Sequence, residues 1–191
     1  ASSVGVDWRK RMVLHATLPP TSLSRFDCAP EPLPKPPTRS LPADAAGMIT
    51  ICTDTLRLVV DSATGLLSSY AVEGQEVFAS SGPVLLVLRD SDDAWESRGR
   101  SFRDVAGSFR LADRGEAAAI CGLRSREIDP VRVIEEGPVR TVVEAVFVYG
   151  GSQLILTYTI PHWGNAMDLA VRVIWTEKRA MLKLALPLAA D

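Results

Sequence analysis

The stretch RTVVEAVFVYGGSQLILTYTI, residues 140–160, decides how this chain is read. Arg140 to Tyr149 reads as one strand, and Ser152 to Ile160 as a second that alternates cleanly after Leu154. Between them Gly150-Gly151 forms a hairpin turn, because glycine accepts the positive φ that tight turns demand. Two strands joined so closely must run antiparallel. The same grammar continues on both sides. Upstream, Leu56 to Asp61 (LRLVVD) is a strand, Ser62 to Gly65 a turn, Leu66 to Val72 a strand, Glu73-Gly74 a turn, and Gln75 to Phe78 a further strand. Val84 to Arg89 (VLLVLR) suits a buried strand. Ser108 to Ala112, Ala117 to Arg126 and Val131 to Glu136 follow, with a corner at Gly137-Pro138. Downstream come Met167 to Trp175 and Met181 to Leu186. Helical signal is confined to about a turn each at Asp92 to Glu96 and Glu177 to Ala180. Strand-length segments with turns between them, and no amphipathic helix separating them, predict an all-β antiparallel sandwich and exclude βαβ units.

Composition agrees with a single ordinary domain plus a small appendage. The chain has 191 residues, 47% hydrophobic and 23% charged, enough to bury a core without staples. Lys+Arg is 21 against Asp+Glu 23, a formal charge of -2, so a nucleic-acid partner is not expected. No run of 18 apolar residues occurs, so no membrane partner is expected either. Two histidines and three cysteines cannot furnish a His-rich metal site or a multi-finger zinc module. Cys28, Cys52 and Cys121 lie far apart, which predicts three small buried hydrophobes and a reducing, cytoplasmic setting instead of a disulfide framework.

Proline divides the chain into three parts. Residues 1–28 read as the end of a small β linker domain, with one strand at Met12 to Leu18. Residues 29–47 form a Pro-rich linker whose core, APEPLPKPPTRSLP from Ala29 to Pro42, lacks donors and is fixed in φ. A spacer explains it better than an SH3-type ligand. Residues 48–191 hold the N-terminal part of the sandwich. The chain starts at Ala1 and ends soon after the strand MLKLALPL, Met181 to Leu188. It is therefore expected either to continue in a longer parent or to pair with another copy.

Four segments taken in order carry a family resemblance: TLRLVVDSATGLLSSY (Thr55 to Tyr70), SDDAWESRGRSFRD (Ser91 to Asp104), VRVIEEGPVRTVVEAVF (Val131 to Phe147) and DLAVRVIWTEKRAMLKLALPL (Asp168 to Leu188). They resemble the C-terminal β-sandwich of family 38 glycoside hydrolases, the α-mannosidases. The matching residues are Asp61, Thr64 and Gly65; Asp93, Ala94 and Trp95; Glu135, Gly137, Pro138, Val139 and Arg140; and Trp175, Glu177, Leu182, Lys183 and Pro187. LPPTSLSRFDC (Leu18 to Cys28) resembles the strand that precedes this region. The resemblance implies a partial galactose-mutarotase-like supersandwich. It also implies a parent enzyme that cleaves α-mannosides with retention, using zinc and an Asp nucleophile in an N-terminal β/α domain. No segment here reads as that domain. The chain is thus expected to be a non-catalytic fragment with no cofactor of its own, partnered by the parent's catalytic domain and by mannose-containing glycans. A stand-alone carbohydrate-binding module and, further off, a mutarotase-type epimerase are the alternatives.

Residue by residue, the chemistry is sparse. Retaining glycosidases place two carboxylates about 5 Å apart across the bond. Glu135 and Glu136 are neighbours on a strand and point to opposite faces. His15 and His162 fall in separate regions and read as surface or turn histidines, not as an epimerase acid. The polar loop DSDDAWESRGRSFRD, Asp90 to Asp104, is the best candidate site. Its Asp92, Asp93, Trp95, Arg98, Arg100 and Arg103 suit sugar contact or domain docking, since an indole covers a sugar's apolar face and carboxylates accept its hydroxyls. A solvated loop with Trp95 on its own sandwich is the plainer reading. The aspartates lack the spacing of a calcium loop.

Overall fold

The structure is a computed structural model and describes residues 12–29, 41–79, 82–90, 102–123 and 127–189. These residues form twelve strands and one helix, arranged in antiparallel sheets as the sequence predicts.

The first sheet is a meander in the order β1 (Met48–Cys52), β2 (Leu56–Asp61), β3 (Leu67–Val72) and β4 (Gln75–Glu76). A second, small sheet places β5 (Val84–Arg89) between β6 (Val105–Ser108) and β12 (Ala180–Ala185). The third sheet is built on the long hairpin β9 (Arg140–Tyr149) and β10 (Ser152–Pro161). Beside β10 lies β11 (Asp168–Ile174). Along the other edge of β9 lie β7 (Arg110–Leu111) and β8 (Val131–Glu136), end to end.

Side-chain alternation on the hairpin builds the core. Val143, Ala145 and Phe147 of β9 share a face with Leu154, Leu156, Tyr158 and Ile160 of β10, all buried. Across from them stand Ile49, Ile51, Leu58 and Val60 of the meander and Leu85 and Val87 of β5, in one continuous cluster. Gly65 explains why the Ser62–Gly65 turn must end in glycine. Its φ is +72°, and a Cβ there would stand 2.8 Å from the Phe147 ring and 2.7 Å from Leu111. Its carbonyl accepts the buried Tyr158 hydroxyl at 3.0 Å, and that burial drives the phenol's pKa upward.

Several expectations are corrected. The strand expected over Ala117 to Arg126 is helical where it begins, while residues 124–126 lie outside the described residues: α1 spans Arg114–Ile120 and buries Ala117 and Ala118, the first of them against Val146 and Ile155 of the hairpin. Its start is a capping box, with Asp113 Oδ1 accepting from the Glu116 N–H and Glu116 accepting from the Asp113 N–H. Ser108 to Ala112 is split by Phe109, so that β6 and β7 belong to different sheets. Glu177 to Ala180 is no helical turn, because Arg179 takes φ +55°. Asp92 to Glu96 lies outside the described residues. Met12 to Leu18 is not a strand, since its backbone pairs with no described strand. The cysteines are free, but Cys28 and Cys52 are exposed and Cys121 is half-buried.

Candidate functional site

The loop singled out in the sequence springs from a well-tied base. Arg89 N–H donates to the Asp104 carbonyl at 2.8 Å, and the Arg89 guanidinium meets the Asp104 carboxylate at 3.6 Å. Asp90 N–H donates to the Arg179 carbonyl, and Lys183 Nζ to the Phe102 carbonyl at 3.4 Å. The loop therefore leaves from the end of β5 beside β12. Of the six candidate residues, Arg103 is described and is exposed at this base. Asp92, Asp93, Trp95, Arg98 and Arg100 lie outside the described residues.

Several of the described residues that carry the family resemblance have structural employment. Asp61 Oδ1 accepts from the Ala63 N–H at 2.8 Å and Oδ2 from the Thr64 hydroxyl at 3.1 Å, closing the β2–β3 turn. Arg140 Nε and Nη2 grip Glu135 at 2.8 and 2.7 Å across the Gly137-Pro138 corner. That fork raises the arginine's pKa further. Glu177 Oε1 caps the β9–β10 turn by accepting from Gly151 N–H and from Ser152 Oγ, both at 3.0 Å. Trp175 packs on the core 6.3 Å from the Phe109 ring. Each of these groups fixes a turn or a corner.

The carboxylate pair of β8 divides its roles. Glu135 is held by Arg140, while Glu136 stands exposed at the corner. His162 fits the turn reading: its ring nitrogens lie 3.0 Å from Thr141 Oγ1 and 3.2 Å from the Pro138 carbonyl. His15 is a surface residue, yet its ring stacks on Trp163 at 4.1 Å, so the two histidines approach the same corner of the fold. Among the described residues, no three His, Cys, Asp or Glu side chains gather closely enough to hold a metal ion. No step is assigned to zinc on this chain.

One polar cluster escaped the sequence reading. Arg132 of β8 is paired in register with Glu144 of β9, and its Nη2 donates both to that carboxylate and to Cys121 Sγ at 3.1 Å. The cluster floors an open cleft of about 470 Å³ at the C-terminal end of α1, walled by Ile120, Leu123 and Ile134. Burial lowers the Arg132 pKa, but Glu144 and Cys121 together outweigh it and leave the net shift upward. The available signal was Glu144 itself, one acid inside an apolar strand.

Comparison with protein families now assigns the fold. The profile of the "Glycosyl hydrolases family 38 C-terminal domain" matches residues 51–191. The chain belongs to that family. Among curated proteins none matches the chain.

Proposed function

We propose that this chain serves a retaining α-mannosidase as the non-catalytic sandwich that supports its catalytic domain. The observation that carries the reading is the family match over residues 51–191. The employment of Asp61, Glu135, Arg140 and Glu177 in turns and corners agrees with it, because groups committed to bidentate or capping contacts are poor hydrogen-bond partners for a passing substrate. In the parent, zinc and the Asp nucleophile would come from another domain. Mannose-containing glycans would meet that domain first, and any contact made here would fall to the Asp90 to Asp104 loop. Three free cysteines support a reducing, cytoplasmic setting.

The test is to incubate the purified chain with zinc and an aryl α-mannoside, and to titrate it with mannose oligosaccharides. Neither turnover nor saturable binding is expected. Turnover that follows protein purity through fractionation would sink the non-catalytic reading. Saturable binding abolished by Trp95→Ala would replace the supporting role with a carbohydrate-binding one.

A further inference from the structure

Residues 12–18 cross the corner formed by the β8–β9 turn and the β10–β11 loop. Two alternate side chains face that corner. Val13 lines a cleft of about 240 Å³ together with Glu135, Gly137, Pro138, Val139 and Arg140. His15 lays its imidazole parallel to the Trp163 indole, with ring centroids 4.1 Å apart and planes within 9°. Met12 and Leu14, the alternate positions, are 61% and 51% exposed. The contact joins segments nearly 150 positions apart, so it is a tertiary docking and not a local turn.

The two sides of this contact are held very differently. The platform under Trp163 is tied down on every side. His162 N–H donates to the Val139 carbonyl at 2.9 Å, and its ring meets Thr141 and Pro138. The Thr55 hydroxyl donates to the Gly164 carbonyl, and the Tyr70 hydroxyl to the Asn165 carbonyl at 3.5 Å. The Glu135–Arg140 fork stiffens the opposite wall. The crossing segment has no such ties: none of its backbone groups bonds to another described residue. One ring stack and the Val13 contact hold it, where a paired strand would be held by a ladder of backbone hydrogen bonds. A segment held by so few contacts opens at lower cost than its platform, which keeps its own hydrogen bonds when the segment leaves.

We propose that residues 12–18 are a detachable strap, latched to the sandwich corner by the His15–Trp163 stack and by Val13. Release would free the segment upstream of the Pro-rich linker from the sandwich. Docking would fix where that segment leaves it. The proposal does not depend on the parent's activity.

Chymotrypsin cleavage after Leu14 in the full chain reads the released population, because a protease site must leave the surface to enter the enzyme. Cleavage is expected to speed roughly fivefold in Trp163→Leu and in His15→Ala, the worth of one stack. Trp163→Phe, which keeps a flat ring under His15 and leaves the cleaved segment unchanged, should stay near the wild-type rate. The urea midpoint of the sandwich should be the same in all four proteins. His15 is exposed, so His15→Ala tests the latch even if Trp163→Leu disturbs the fold. Equal cleavage in all four proteins would overturn the latch. So would cleavage that rises only as the sandwich itself unfolds, for the strap would then be part of the body it crosses.

Discussion

Glu144 is 92% buried by the complement of its 8% side-chain exposure, and its partner Arg132 keeps 27% exposed. Arg132 Nε is buried without a hydrogen-bond partner. Taking both charges out of water costs free energy that their mutual contact has to offset. Removing one member leaves the other charge stranded. Glu144→Ala is expected to cost about 2–3 kcal/mol, somewhat less than a fully buried pair, because Arg132 still reaches water. Arg132→Met with Glu144→Leu should recover most of that loss, since two apolar side chains need no partner. Chemical denaturation of both variants checks this. The pair was hidden in the sequence because Arg132 and Glu144 meet only when β8 and β9 take their register. The Glu135–Arg140 pair spans a tight corner of a few residues, and was half visible as a motif.

At the scale of elements, hairpins were legible and the helix was not. Strands such as LRLVVD and SQLILTYTI announce themselves through alternation bounded by glycine turns. Helix α1 is seven residues long, carries Gly115, and follows directly on strand-like sequence. Its apolar content is alanine, which fits either periodicity. The decisive signal was Asp113 followed by Glu116, the pattern of reciprocal capping. That cap is also charge-dependent. The hydrogen bond from Arg110, then the Asp113 N–H, holds Glu116 below the ordinary carboxylate pKa of 4.5. A carboxylate depressed in the folded state contributes stability that is present above its unfolded pKa and lost as pH falls through the folded one. Wild type should therefore exceed Glu116→Gln in urea midpoint at about pH 6, and the gap should narrow by about pH 3. A gap that is unchanged over that range would show that Arg110 contributes nothing through charge.

At the scale of the whole molecule, two sheet edges have no covering strand among the described residues. On β11, Val171 and Val173 face inward with the core side of β10 yet remain 41% and 40% exposed. Leu184, Leu186 and Leu188 are exposed on and after β12, which pairs with β5 alone among the described strands. Such an apolar margin binds hydrophobic dyes in the native state. Native fluorescence enhancement of an anilinonaphthalene dye is expected, and Val173→Lys should reduce it without moving the urea midpoint. An unchanged signal would place the dye elsewhere.

The hydrophobic alternation, the glycine turns and the order of motifs from Asp61 to Pro187 were enough to define an antiparallel sandwich of this family. They suffice because alternation and turn geometry are local properties, settled by residues two to four positions apart. What each polar residue does was decided by packing. Asp61, Glu177 and Arg140 became caps and clamps, and Glu144 found Arg132 across two strands. Met12 to Leu18 has the pattern of a strand, but its backbone pairs with no described strand, and a ring stack and Val13 hold it instead. A strand exists only with a partner for its backbone, and that partner is supplied by the rest of the fold.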